Sequence, residues 1–144
     1  MKKLILAFSS LAILAGCAAG IDESNPVEKQ ANLNKICIDE RKTGLNYTSK
    51  EIVEFVDASL KKKGISSMTY KENKEQCQYL LQYRFKGKKD LIIRGSMTVI
   101  QLNTEKNKLG NVTYKYRGDE REIAKQVGLK GQIDKMVTEL FKNY

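Results

Sequence analysis

Three cysteines, Cys17, Cys37 and Cys77, and the absence of histidine set the chemistry open to this 144-residue chain. Without an imidazole the Ser-His-Asp and Cys-His nucleophile systems are excluded, as is a zinc site of the usual histidine-containing type. Paired carboxylates are the remaining acid-base candidates: Asp39 with Glu40, and Asp119 with Glu120 and Glu122. Both groups adjoin expected turns or helix starts, where acids serve solubility and capping, so no catalytic residue is assigned and the chain is expected not to be an enzyme. Neither G-x-G-x-x-G nor G-x-x-x-x-G-K-[ST] occurs, and no phosphate loop or other cofactor site is expected. Arg117-Gly118-Asp119 spells a cell-adhesion tripeptide, but it falls where a strand should leave a sheet and where glycine is expected on structural grounds alone.

The first residues carry a stronger signal. Met1-Lys2-Lys3 places two positive charges ahead of the apolar run Leu4 to Leu14, and the small residues Ala15 and Gly16 follow. The run falls short of the about 20 apolar residues that cross a bilayer and gives way to Asp22, Glu23 and Ser24. It reads as a signal peptide. Leu14-Ala15-Gly16-Cys17 resembles the lipobox of bacterial lipoproteins. That resemblance implies a diacylglyceryl group on Cys17, cleavage before it, and a membrane anchor of two or three acyl chains, enough for stable attachment where one chain gives only marginal binding. The alternative is an ordinary cut near Ala18 or Ala19, which would release a soluble protein. In the enteric-type sorting pathway an aspartate after the lipidated cysteine retains a lipoprotein in the inner membrane. Ala18 stands there, so the resemblance implies the inner leaflet of the outer membrane, facing the periplasm.

With Cys17 taken by lipid, Cys37 and Cys77 are an even pair in a compartment that favours disulfides. They lack C-x-x-C spacing, and a Cys37–Cys77 bridge acting as a structural staple is expected. On the chain-entropy account it is worth about 4 kcal/mol, a large share of the about 5–15 kcal/mol that stabilises a domain.

The formal charge is +9, of which Lys2 and Lys3 belong to the signal segment. The excess is spread out, with clusters at Lys61-Lys62-Lys63 and Lys86-Gly87-Lys88-Lys89. A basic surface suits anionic lipid or acidic envelope polymers; a merely solvated face is the simpler reading. Nucleic acid is not expected as a partner, since an exported chain rarely meets it and no zinc-finger, RRM or KH signature is present. Tyr79, Tyr83, Tyr114 and Tyr116, with Lys115 and Arg117, could line a binding surface, but the buried face of a sheet is favoured for them.

The elements that must hold these residues follow from periodicity. Residues 1–16 form the signal peptide, 17–31 the lipidated cysteine and a flexible tether of small and polar residues around Pro26, and 32–144 one domain. Leu33 to Asp39 reads as a short strand. Thr48 to Glu51 forms a capping box that opens a helix with Ile52, Val53, Val56 and Leu60 on one face, closed by Gly64. Ser66 to Tyr70 is a candidate strand. Gln76 to Phe85 alternates, with Cys77, Tyr79, Leu81, Tyr83 and Phe85 on one side and only Leu80 breaking the polar side. Leu91 to Leu102 follows, with Leu91, Ile93, Met97 and Val99 on one side and a phase shift at Ile100 that predicts a bulge. A turn over Asn103 to Asn111 leads to Val112, Tyr114 and Tyr116, completing a three-stranded meander. A short helix before Gly128 and a longer one through Ile133, Val137, Leu140 and Phe141 end the chain.

The order predicts an α+β fold: a two-layer sandwich of a mostly antiparallel sheet with helices packed on one face. In fold order alone it is weakly similar to the periplasmic domains of LpoB-like lipoprotein activators of cell-wall synthases. The expected function is a lipid-anchored, non-enzymatic binding or accessory module of the cell envelope, attached to the membrane through Cys17 and meeting an envelope protein or polymer. An immunity or inhibitor lipoprotein directed at a periplasmic toxin or hydrolase is the alternative. A carboxylate-dependent envelope hydrolase using Asp39, Glu40, Asp119 or Glu120 is the rival from another class.

Overall fold

A computed structural model describes residues 19–29, 32–103 and 105–144. The signal segment 1–16 and the lipidation candidate Cys17 lie outside the described residues. The fold is α+β, as the sequence predicted. Strands β1 (Ile21–Asn25), β2 (Lys35–Asp39), β3 (Ser66–Thr69), β4 (Tyr79–Lys88), β5 (Leu91–Gln101) and β6 (Asn107–Lys115) form one sheet in the order β1-β6-β5-β4-β2-β3. Helices α1 (Ser49–Lys61) and α3 (Glu120–Leu140) cover one face; α2 (Tyr70–Asn73) is a single turn. The β4-β5-β6 meander is antiparallel, and β2 lies parallel to both β3 and β4.

Helix α1 begins where its sequence requires. The Thr48 hydroxyl accepts from the Glu51 N–H at 3.1 Å, and Glu51 accepts from the Thr48 N–H at 2.7 Å, satisfying two donors that a helix start otherwise leaves open. Ile52, Val56 and Leu60 are buried, with Val53 at the margin. Gly64 ends the turn at φ +73°, a conformation that costs any side chain with a Cβ. Helix α3 is two helical pieces that meet at Gly128, whose φ of 69° and ψ of −172° break the spiral, as the glycine in the sequence predicted.

In the core, Ile52, Val56 and Leu60 of α1 and Ile133, Met136, Val137 and Leu140 of α3 meet Leu81, Tyr83, Phe85, Met97, Val99, Val112 and Tyr114 of the sheet. Tyr79, Tyr83 and Tyr114 therefore belong to the covered face, and Tyr116 packs at its margin. The expected bulge is present, as a register shift between Val99 and Ile100. A second shift, between Lys86 and Gly87 opposite Arg94 and Ile92, rephases the start of β5. It puts Ile92 in the core at 0% exposure and leaves Ile93, expected there, only half-buried.

Two further differences are physical. Where coil was expected from Ala18 to Ala31, residues 21–25 form β1, antiparallel to β6. Val27 just beyond is fully buried, and its N–H donates to the Leu140 carbonyl at 2.9 Å. Only Ile21 of this strand is apolar, so β1 is held by main-chain bonds that no apolar alternation announces. Cys77 precedes β4, after a tight turn over Lys74–Gln76, and joins Leu80 on the uncovered face instead of Tyr79 on the core face.

Candidate functional site

The chemistry-bearing residues fall into two places. Cys37 and Cys77 are joined by a disulfide with Cα atoms 5.8 Å apart, tying β2 to the entry of β4. With Leu80, Met68, Tyr70 and Leu102 they make a small apolar cluster on the face opposite the helices. Cys37 pairs with Leu80 across the parallel ladder, which explains why Leu80 interrupts an otherwise polar side. This patch is structural.

The second place is where the chain leaves the domain toward Cys17. The Ala19 carbonyl accepts from Lys135 Nζ at 3.0 Å, and the Gly20 carbonyl from the Lys115 N–H at 2.8 Å. Gly20 lies at φ +84°, and a Cβ there would come within 2.7 Å of Glu120 Cγ and Tyr114 Cε2. Beneath it is a buried polar network. Lys135 is ion-paired with Glu120, whose side chain is wholly buried. The Tyr114 hydroxyl donates to Glu120 Oε1 at 2.7 Å and accepts from Gln132 Nε2 at 2.8 Å. The Gln132 amide bonds both main-chain groups of Ile92, at 2.9 and 2.8 Å. Burial, reinforced by the Glu120 carboxylate that its proton serves, pushes the Tyr114 phenol well above its ordinary value. The hydroxyl thus stays a donor to Glu120. A buried charge survives where it is paired and hydrogen-bonded, and here that pairing fixes residues 19 and 20 to the domain.

Beside this junction is the uncovered face of the sheet. Strand register aligns Lys86 with Arg94 and Arg94 with Lys115, and, one row further along, Arg84 with Ser96 and Ser96 with Thr113. Asp22 neutralises part of this charge, contacting Lys115 at 3.0 Å and Arg117 at 2.6 Å. The hydrogen bond from Lys115 and the two cations nearby hold the Asp22 carboxyl below its usual range. A cleft of about 280 Å³ runs here, with Arg84, Lys86, Arg94, Ser96, Lys115 and Asp22 in its walls.

The candidate carboxylates are kept apart in role. Asp39 is bound by Arg41 at 2.8 Å, and Glu120 belongs to the buried network. Asp119 precedes α3 without a side-chain cap. Among the described residues no group of three or more His, Cys, Asp or Glu side chains comes together to hold a metal, and no helix is long and apolar enough to cross a membrane. Sequence reasoning missed Gln132, Lys135 and Gly20. The available signal was an α3 face bearing Gln132 and Lys135 four and seven residues beyond Gly128, in a helix whose stripe is otherwise apolar.

Comparison with known proteins bears on each end of the chain separately. Residues 1–18 match the prokaryotic membrane lipoprotein lipid attachment site, so the chain is a membrane-anchored lipoprotein. None of the curated proteins is significantly similar to it in sequence. The domain is similar in fold to PelC from Paraburkholderia phytofirmans, solved as a dodecamer. The likeness has a TM-score of 0.52 at 10% identity and covers 82% of this chain and 93% of that one. A variant of the same protein, also a dodecamer, gives a TM-score of 0.52 at 12% identity, over 82% of this chain and 96% of that one. At these identities the likeness is one of fold.

Proposed function

We propose that this protein is a non-enzymatic accessory module of the bacterial envelope, held at the periplasmic surface of the outer membrane and working by binding other envelope components. One observation carries the reading: the lipid attachment site is followed within two residues by main chain fixed to the domain, at Ala19 and Gly20. Two residues reach about 7 Å. Such a module cannot search the periplasm; its work is at the membrane that holds it. Ala18 in place of an aspartate after Cys17 favours the outer membrane. The placement of Asp39 against Arg41 and of Glu120 against Lys135 supports a role without acid-base catalysis. The fold's likeness to a protein solved as a dodecamer makes self-association the first form of assembly to test.

The experiment is crosslinking in intact cells followed by isolation of the lipidated protein beside a Cys17→Ser variant. The expected result is that the wild type fractionates with outer membranes and is recovered with copies of itself or with a defined envelope protein, whereas the variant leaves the membrane fraction and loses those crosslinks. Recovery without any crosslinked species, together with an unperturbed envelope in a deletion strain, would overturn the proposal.

A further inference from the structure

The uncovered sheet face poses an electrostatic problem. Lys86, Arg94 and Lys115 stand in one cross-strand row, and like charges directly opposite each other on a sheet repel. Asp22 meets Lys115 and leaves the other two unanswered: among the described residues, Arg84, Lys86 and Arg94 form no ion pair. All three are exposed. Glu23 is the other acid in the cleft wall, so four cations face two carboxylates there. Ser96 and Thr113 stand between the cations in the cleft wall.

The position of this row matters more than its charge. It lies at the C-terminal ends of β4 and β6 and the N-terminal end of β5, and Gly20 is bonded to Lys115 at that same end. The β4-β5 turn, with exposed Lys88, Lys89 and Asp90, is there as well. So is the loop before α1, whose Asn46 N–H donates to the Lys89 carbonyl at 2.7 Å. Cys17, two residues before Ala19, is within about 7 Å of the same end. The acyl chains therefore draw this end of the domain to the bilayer surface.

We infer that the cleft formed by Arg84, Lys86, Arg94 and Lys115 binds the phosphate headgroups of anionic phospholipids in the membrane that holds Cys17, seating the domain on the bilayer by this end of its open sheet face. A phosphodiester supplies the counter-anion the row lacks; Arg84 and Arg94 offer planar donors suited to its oxygens, and Lys86 a point charge. The inference rests on the lipid anchor and on no partner's identity, so its failure leaves the accessory-module reading standing.

Amine acetylation of the mature lipidated protein, reconstituted in phosphatidylcholine vesicles with or without phosphatidylglycerol and read by mass spectrometry, tests it. Labelling of Lys86 should fall about fivefold when phosphatidylglycerol is present, the effect of one basic side chain at an anionic surface. Lys106 and Lys108, exposed at the other end of the β5-β6 ladder, should label equally in both. Replacing both arginines, Arg84→Gln with Arg94→Gln, should restore Lys86 labelling, and as both are exposed the fold is retained, checked by unchanged circular dichroism. Three results would overturn the inference: equal labelling of Lys86 in the two vesicles; protection already complete in phosphatidylcholine alone, which marks a second copy covering the face; and equal protection by inorganic phosphate added to phosphatidylcholine vesicles, which marks a small-anion site.

Discussion

The two sides of the sheet's antiparallel centre are secured by opposite means. On the β2-β3 side a covalent bond, Cys37–Cys77, ties β2 to the start of β4. On the β1 side the described residues form no covalent cross-link: β1 is held by its ladder to β6, by Val27 against Leu140, by the Ser24 hydroxyl donating to Glu139 at 2.5 Å, and by Lys135 gripping the Ala19 carbonyl. The disulfide limits the unfolded chain and is indifferent to pH and salt in the ordinary range. The β1 side depends on charges and main-chain bonds that are answerable to solvent. The edge next to the lipid anchor is thus the one whose attachment the environment can alter.

The comparison is broken most forcefully from the covalent side. Cys37→Ala with Cys77→Ala removes a closure over 40 residues and should cost about 4 kcal/mol of unfolding free energy by the loop-entropy relation. Urea denaturation measures it, and a loss under about 1 kcal/mol would show that packing with Leu80 and Met68 holds this edge without the bond. On the other side, Lys135→Ala leaves Glu120 buried with its charge unmatched. Removing one partner of a buried pair costs about 3–5 kcal/mol, and the partial exposure of Lys135 places the effect near the lower figure, about 3 kcal/mol. Pairing Lys135→Met with Glu120→Gln should recover most of that loss, since the Gln carbonyl still accepts from Tyr114 and no charge is stranded. Smaller again is Gly20→Ala, which forces a Cβ onto Tyr114 and Glu120 at a φ of +84°; about 2 kcal/mol is expected from strain and overpacking together, read from the same denaturation curves.

How each side was read from sequence follows the same division. The disulfide needed only a count of cysteines once Cys17 was set aside. The capping box at Thr48, the stop at Gly64, the meander and the bulge at Ile100 are local signals that packing reinforces. β1 was invisible because Ile21-Asp22-Glu23-Ser24-Asn25 has one apolar residue and its partners lie about ninety residues away in β6. Its stabilising contacts are main-chain groups, which any sequence supplies, and side-chain bonds from Asp22 and Ser24 to partners remote in sequence. The cation row was half legible: Arg84 and Lys86 fall on the polar side of β4, but alignment with Arg94 and Lys115 depends on the register shift at Gly87, which the apolar pattern of Leu91, Ile92 and Ile93 leaves ambiguous. The buried network was not legible, because Glu120 and Lys135 belong to types that are almost never buried unless paired, and the pairing exists only in three dimensions.

Acid offers the mildest and most selective way to separate the two sides. The Ser24 hydrogen bond, with Lys142 close by, holds the Glu139 carboxyl below its ordinary 4.5, and Lys115 and Arg117 hold Asp22 below its ordinary 3.8. A carboxyl lowered in the folded state adds stability above its ordinary value and gives it up as pH falls through the lowered one. Between neutrality and 4.5, protection of the Val27 and Lys115 amides against hydrogen exchange, corrected for intrinsic rate, should therefore hold steady; below 3.8 it should decline before that of the β4-β5 amides. Asp57, near β3, resists its burial through bonds from Lys61 and Ser67 and is also lowered, so acid weakens that contact too. β2 stays covalently tied to the rest, however, and its amides should keep their protection until the disulfide is reduced. If β2 and β1 amides open together in acid with the disulfide intact, the two sides of the sheet are one cooperative unit and the contrast between them disappears.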